Sequence, residues 1–192
     1  MVLLAPGSRS HLKRWPAERF AQVADQLVIQ ERARIFLIGG AEDQPVSQAV
    51  HSAMRQPAVD LTGQTTLSQT AALLSGAKLL ITNDSACLHM AEAMQTPLVA
   101  LFGPTDEKKY GPRNPRSVVV RRNLVCSPCE RALCPYHHEC LRQLDPSSVL
   151  SAAVKILQES SVPPGFSDKS TVRPESDVFP FTLSLSKGEW KM

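Results

Sequence analysis

The sequence lacks an apolar run long enough to cross a membrane, and only 5% of its 192 residues are aromatic. A transmembrane helix needs about 20 predominantly apolar residues, and the N-terminus also lacks the charged and apolar regions of a secretory signal peptide. We therefore expect a cytoplasmic protein. Its five cysteines, an odd number and unevenly clustered, do not match the framework of a small secreted domain, so reduced thiols or a metal site are the better interpretations.

The sequence also lacks an internal repeat, a P-loop and a GxGxxG motif, and its net charge is only +3. A charge this small does not by itself indicate a nucleic-acid partner or an anionic membrane surface. The charge is unevenly placed, however, because residues 108–142 contain eight Lys or Arg against two acidic residues. This segment therefore predicts a local anionic partner.

Short apolar runs alternate with amphipathic segments along most of the chain. The pattern predicts strands at 1–5, 35–38, 59–61, 78–82 and 98–102, and helices at 16–28, 46–53, 67–74, 85–94 and 146–157. Such alternation is typical of an α/β fold, a Rossmann-like parallel sheet with helices on both faces. No element is predicted between 103 and 145, although in one interpretation Arg121-Arg122 flank a strand. Residues 161–192, rich in proline and serine, predict a disordered tail.

The candidate site follows from where polar loops interrupt this pattern. In doubly wound sheets, ligands bind beyond the carboxyl ends of the strands. Ser8, Arg9 and Lys13 follow the first strand and offer a hydroxyl and two cations to a diphosphate, although a solvated turn has the same composition. Asp84 follows the fourth strand as either a helix cap or a ligand contact. His89, on the next helix, is either a ligand contact or a core or capping group.

Four of the cysteines lie within a short stretch, Cys126-x2-Cys129-x4-Cys134-x5-Cys140. Two close pairs of thiolates can form a tetrahedral structural zinc site, although the second spacing is wider than usual. The alternative is a set of reduced or partly disulfide-bonded cysteines that brace a loop.

Four motifs resemble the heptosyltransferases of glycosyltransferase family 9, which build the inner core of bacterial lipopolysaccharide. The matching stretches are Pro6-Gly7-Ser8-Arg9 with Lys13-Arg14-Trp15-Pro16, Ile38-Gly39-Gly40, Thr82-Asn83-Asp84-Ser85 with His89-Met90-Ala91, and residues 97–105 (PLVALFGPT). The resemblance covers about residues 1–160 and includes the cysteine-rich basic segment 106–142. The cysteine pattern, followed by Cys140-Leu141-Arg142, is similar to a segment of some heptosyltransferase II-like members.

The family has two facing Rossmann-like domains, the GT-B arrangement, and this chain resembles the C-terminal, nucleotide-sugar (donor) binding half. The resemblance implies ADP-heptose as donor and the lipopolysaccharide core as acceptor, with an N-terminal acceptor domain that this chain lacks. The implied donor contacts are Ser8, Arg9 and Lys13 at the diphosphate, Asp84, Ser85 and the backbone of Ala86 at sugar and phosphate, His89 supporting that loop, Thr65 and Thr66 near the adenine, and Glu42 at the heptose hydroxyls. Ala86-Cys87 departs from the family, which has a glycine-containing pair there.

The implied reaction is an inverting displacement that requires no metal or other cofactor. The general base belongs to the N-terminal domain, so no catalytic residue is assigned here beyond Lys13, which would stabilise the departing ADP. The isolated chain is therefore expected to be inactive without that domain or a separate partner chain. The basic segment would face the phosphorylated acceptor or the inner face of the cytoplasmic membrane, with peripheral attachment, unless it is an ordinary solvated face.

Two other functions fit the same residues. One is a non-catalytic, zinc-braced module that binds nucleic acid or protein, but only Tyr110 and Tyr136 interleave with the basic residues, too few for a base-stacking platform. We therefore expect no nucleic-acid partner. The other is a GT-B enzyme with a uridine or guanosine donor, because base preference depends on a few loop contacts near Thr65.

Overall fold

The computed structural model describes residues 1–159, which form a six-stranded sheet flanked by helices. The strands are β1 (Val2–Ala5), β2 (Ile35–Leu37), β3 (Ala58–Asp60), β4 (Leu79–Asn83), β5 (Leu98–Phe102) and β6 (Ser117–Arg121). The helices are α1 (Ala17–Glu31), α2 (Gln44–Ala53), α3 (Leu67–Ser75), α4 (Ala86–Ala93), α5 (Glu107–Tyr110), α6 (Glu139–Arg142) and α7 (Pro146–Glu159). Short 3-10 turns lie at His11–Lys13 and Ala41–Asp43.

The sheet is parallel throughout, with strand order β3-β2-β1-β4-β5-β6. The chain first winds outward from β1 to β3 and then returns to add β4 on the other side of β1. The order thus reverses between β1 and β4, where Leu3 pairs with Phe36 on one side and Leu80 on the other. The loops after β1 and β4 diverge at this point and leave a crevice at their carboxyl ends.

The core lies on both faces of the sheet, and β1, β4 and β5 are buried along their whole length. Successive strand side chains point to opposite faces, so Leu4 packs under α1, α2 and α7 while Leu3 packs under α3 and α4. Helices on both faces, as the sequence predicts, are confirmed.

Helix α1 shows how the pattern specifies an element. Pro16 precedes its first residue, the predicted stripe of Phe20, Val23 and Leu27 is buried, and Arg32 ends it in the left-handed region at φ 50°. Apolar side chains at this spacing share one helix face, so their burial fixes the orientation of the helix on the sheet. All five predicted strands and all five predicted helices occur, and their limits agree within two residues except at the end of α1, which extends three residues past the predicted limit to Glu31.

The region 103–145 differs from the sequence prediction, because it contains β6, α5 and α6. Strand β6 pairs with β5, with Val118 beside Val99. It ends at Arg121 and is followed by Arg122, close to the interpretation in which these two residues flank a strand. The two helices have four residues each, too few to show a helical period.

The predicted tail at 161–192 lies outside the described residues, and the domain boundary at 160 stays a prediction. No helix within residues 1–159 combines the length and apolar content needed to cross a bilayer.

Candidate functional site

A cleft of about 1090 Å³ opens at the carboxyl ends of the strands, where the order reverses. We call it the donor cleft, after the ligand that the sequence analysis predicts there. It gathers side chains from loops far apart in the sequence, and nine of the ten predicted donor-site residues line it: Ser8, Arg9, Lys13, Glu42, Thr65, Asp84, Ser85, Ala86 and His89. The carboxyl ends of parallel strands meet at one edge, and this explains why the loops that follow the strands come together here. The strand-end pattern predicts Ser8, Arg9, Lys13 and Asp84, and the family resemblance adds the others.

Asp84 is the centre of the polar network in the donor cleft. Its carboxylate, on a residue only 6% exposed, lies 2.7 Å from Lys13 Nζ and accepts a hydrogen bond of 2.8 Å from the Thr105 hydroxyl. The Ser8 hydroxyl donates to the backbone carbonyl of Asp84 at 3.0 Å. One residue therefore joins the loops that follow β1, β4 and β5, and its buried charge has both an ion-pair partner and a hydrogen-bond donor.

Asn83 fixes the loop after β1 against the end of β4. Its side-chain amide donates to the Pro6 carbonyl at 2.7 Å and accepts from the backbone N–H of Trp15 at 3.1 Å. Trp15 is itself buried, and Arg14 Nε donates to the Ser8 carbonyl at 2.9 Å. These contacts position Ser8 and the turn that carries Lys13.

Lys13 presents its ammonium group to the donor cleft. The nitrogen bonds Asp84 and lies 5.9 Å from the ring centroid of Tyr110, and the side chain is 30% exposed. An ammonium carries three N–H donors, so those not used by Asp84 can reach a ligand. Arg9, exposed on the same wall, adds a second cation.

The N-terminus of α4 forms the floor of the donor cleft beside this network. Ser85, at its N-cap position, bonds Thr82 at 3.2 Å and makes no side-chain cap bond. The first N–H groups of a helix lack intrahelical acceptors and carry the positive end of the helix dipole. With Ala86 lining the cleft, this end of α4 is suited to bind an anion such as a phosphate.

One wall of the donor cleft is acidic, and it contains Asp43, which the sequence analysis missed. The Asp43 carboxylate accepts from the Gly40 N–H at 3.2 Å and lies so close to Gly7 that a Cβ there would come within 2.1 Å of it. Glu42 is exposed on the same wall. Burial, and then the charges of Asp43 and Glu42, raise the pKa of Cys87 to about 11, so this thiol is neutral at pH 7.

Thr65 and Thr66 are separated by the structure. Thr65 lines the donor cleft and its hydroxyl bonds that of Thr70 at 2.9 Å. Thr66 is the N-cap of α3: its hydroxyl accepts from the Gln69 N–H at 3.3 Å, and the Gln69 side chain accepts from the Thr66 N–H at 2.9 Å. Of the predicted donor-site residues, Thr66 is therefore the one that lies outside the cleft lining and serves as a helix cap.

His89 lies exposed on the wall of the donor cleft, one turn along α4 from Ser85. This placement differs from the alternative in which it is a core histidine. Its position is compatible with contact to a bound ligand.

The four clustered cysteines line a second pocket of about 610 Å³. Cys140 is buried, and burial raises the pKa of its thiol, while Cys134 Sγ accepts from the His138 N–H at 3.4 Å. Within residues 1–159, the structure brings together no group of three His, Cys, Asp or Glu side chains able to hold a metal ion. The zinc site stays a prediction, which metal analysis of the reduced protein with Cys126→Ser as control would test.

Much of the basic segment has structural partners. Arg121 pairs with Glu107 and donates to the Ser127 carbonyl at 2.8 Å. Arg116 and Arg122 donate to backbone carbonyls at 2.7 and 3.2 Å. These guanidinium groups hold loops together, so only part of the local positive charge is available to an outside anion.

Comparison with known proteins decides the family of this fold and site. The family model described as glycosyltransferase family 9 (heptosyltransferase) matches residues 1–139. The chain belongs to glycosyltransferase family 9. It is 32% identical over 163 residues to lipooligosaccharide heptosyltransferase 2 of Campylobacter jejuni, covering 82% of this chain and 51% of that protein.

Two further relatives support the assignment of this chain to family 9. Lipopolysaccharide heptosyltransferase 2 of Salmonella typhimurium is 30% identical over 168 residues, covering 84% of this chain and 48% of the relative. The structure of E. coli ADP-heptose LPS heptosyltransferase II superimposes with a TM-score of 0.73 at 29% identity, covering 84% of this chain and 47% of that one. The family 9 chain thus spans about half the length of the relatives it matches.

Proposed function

We propose that this chain is the C-terminal, donor-binding half of a heptosyltransferase that transfers heptose from ADP-heptose to the inner core of lipopolysaccharide. The observation that carries the proposal is the Lys13–Asp84–Thr105 network beside the N-terminus of α4, at the point where the strand order reverses. That point of a doubly wound sheet is where nucleotides bind. A relative of known structure is named for ADP-heptose and lipopolysaccharide.

The donor's diphosphate would lie between Lys13 and the first turn of α4. Lys13 supplies a point charge and Arg9 a guanidinium, and Ser8, whose hydroxyl donates to the Asp84 carbonyl, lines the cleft beside them. The α4 N–H groups add fixed dipoles aimed at the same anion. The acidic wall of Glu42 and Asp43 suits the sugar hydroxyls, which donate hydrogen bonds to carboxylates.

The proposed chemistry is a displacement at the anomeric carbon of heptose. An acceptor hydroxyl, deprotonated by a base that belongs to the other half of the enzyme, forms the new C–O bond while the bond to ADP breaks. Negative charge then grows on the departing phosphate, and Lys13 with the α4 dipole lowers the barrier by stabilising it. No step in this proposal uses a metal or other cofactor.

The proposal also assigns the basic segment to contact with the acceptor or the membrane. Part of the basic segment would face the anionic lipopolysaccharide core or the inner leaflet of the cytoplasmic membrane, holding the protein peripherally. The alternative of a nucleic-acid module has less support, because Tyr110 lies beside Lys13 in the donor cleft and Tyr136 lines the cysteine pocket. These two rings therefore do not form a platform on the basic face.

Calorimetric titration of the chain with ADP-heptose, ADP, UDP and GDP tests the donor assignment. We expect binding confined to the two adenine ligands and weakened by Asp84→Ala, because that change removes the anchor of Lys13 and Thr105. Circular dichroism shows whether the variant keeps its fold. Equal binding of UDP or GDP would contradict the adenine donor, and an unchanged affinity in a folded Asp84→Ala variant would contradict the placement of the site.

A further inference from the structure

A third cleft, of about 330 Å³, lies next to the donor cleft. We call it the side cleft. It shares Ser10, Lys13 and Tyr110 with the donor cleft, and its remaining wall includes Thr105, Glu130 and Arg131. Lys13 therefore stands at the boundary between the two clefts. Neither Ser8, Arg9 nor any residue of α4 is part of the side-cleft lining.

Arg131 is the cation of the side cleft whose charge is not neutralised. It is exposed, and its side chain has no hydrogen-bond or ion-pair partner among residues 1–159. The neighbouring carboxylate of Glu130 is already engaged, because Lys109 Nζ lies 3.0 Å from both of its oxygens. Lys13 is balanced by Asp84. The side cleft therefore has an unpaired guanidinium at its rim.

The loop that carries Arg131 is anchored rather than loose. The backbone N–H groups of Cys129 and Glu130 both donate to the Pro104 carbonyl, at 2.9 and 2.8 Å. Glu130 has φ 51°, in the left-handed region that non-glycine residues adopt at a cost. Such strained positions occur where the surrounding contacts fix them, often at binding sites. Here the turn places both Glu130 and Arg131 on the side cleft.

We infer that the side cleft is an oxyanion subsite for the acceptor sugar, in which Arg131 binds a carboxylate or phosphate substituent. The inference rests on the proposed function, because the donor diphosphate then occupies the other side of Lys13. The bond that breaks lies at the leaving phosphate near Lys13, so the acceptor must approach from next to it. A guanidinium binds carboxylate and phosphate with two parallel hydrogen bonds and thereby fixes the orientation of the sugar.

The test is titration of the chain, saturated with ADP, with glucose 6-phosphate, glucuronate and neutral glucose as probes. We expect both anionic sugars to bind more tightly than glucose. Arg131→Gln should weaken their binding about fivefold, the loss expected for one exposed charge pair, and should leave the affinity for ADP unchanged. Arg113→Gln is the matched control, since Arg113 is exposed in the same basic segment and lines neither cleft. Comparison of the two anions shows which substituent the subsite prefers.

The outcomes separate the subsite from the donor assignment. Normal ADP binding with no preference for the anionic sugars would overturn the subsite and leave the donor site standing. An equal loss in Arg113→Gln would show only a general effect of charge and would also overturn it. A parallel loss of ADP affinity in Arg131→Gln would assign Arg131 to the donor. Failure of the wild-type chain to bind ADP would contradict the proposed function itself.

Discussion

At the scale of single residues, Lys13 and Asp84 stabilise each other's position. We expect Lys13→Ala to lower the affinity for ADP by about tenfold, because a charge-assisted hydrogen bond to phosphate is lost. The same change should lower the free energy of unfolding by about 1 to 3 kcal/mol, since the nearly buried Asp84 carboxylate keeps only the Thr105 hydroxyl. Calorimetry and urea unfolding measure the two effects.

Lys155→Ala is the control for this prediction. Lys155 is an exposed lysine of α7, and its nitrogen lies 4.0 Å from Glu159, so its replacement should change neither quantity appreciably. Equal losses in the two variants would contradict a specific role of Lys13.

Gly7 is a residue whose lack of a side chain shapes the donor cleft. In Gly7→Ala the new Cβ would lie 2.1 Å from the Asp43 carboxyl carbon, so Asp43 must leave the Gly40 N–H. We expect a loss of about 1 to 3 kcal/mol of unfolding free energy and weaker ADP binding. In Gly76→Ala the nearest atom is 3.7 Å from the added Cβ, and this control should be nearly neutral. Unfolding curves that coincide for both variants would contradict the assigned packing.

The sequence predicted those donor-cleft residues that are polar or charged and directly follow a strand. Ser8, Lys13 and Asp84 follow strands at positions where a parallel sheet brings loops together. Asp43 could not be predicted, because its role depends on its distance from Gly7, and the two are brought together only by the pairing of β1 with β2. Thr66 is followed three residues later by Gln69, which is the sequence signature of a helix N-cap. The family resemblance had instead placed Thr66 near the adenine.

At the scale of elements, His138 connects the cysteine segment to the turn of Lys13. Its ring lies 5.5 Å from that of His11, and burial, followed by the charges of His11, Arg142 and His137, lowers the pKa of His138 below 6.5. The folded state therefore binds fewer protons than the unfolded state. The stabilising contribution of this group is present above the unfolded pKa and is lost as the pH falls toward the folded pKa.

Urea unfolding at about pH 7.5 and about pH 5.5 measures this dependence. We expect the wild-type protein to lose more stability on acidification than His138→Gln, because the variant has no proton to bind at this position. An equal loss in the two proteins would show that other groups account for the acid sensitivity.

The elements of the chain differ in how far the sequence specifies them. Strands β1, β4 and β5 are buried on both faces, so they appear as continuous apolar runs. Strand β6 is half-buried at the sheet edge and directly follows a stretch of prolines and arginines (residues 111–116), so its short run SVVVR gives a weak signal. Its place is determined mainly by pairing with β5.

At the scale of the whole molecule, we expect that binding of ADP-heptose can be separated from transfer of heptose. The chain carries the donor cleft but spans about half the length of its relatives, and the proposed general base belongs to the other half. We expect the 192-residue chain to bind ADP-heptose without transferring heptose to lipopolysaccharide acceptor, as measured by calorimetry and by product analysis. Heptose transfer by the chain alone would contradict the assignment of the base.

The contact between α7 and the start of the chain has a consequence for how the protein is made. The Leu144 carbonyl, just before α7, accepts from Trp15 Nε1 at 3.2 Å and from Arg19 Nη1 at 2.6 Å, and α7 covers the same sheet face as α1. During synthesis on the ribosome, more than a hundred further residues must be added after α1 before α7, which packs on the same sheet face, emerges. Folding of the nascent domain is therefore completed late, and an interrupted translation product exposes the surface that chaperones bind.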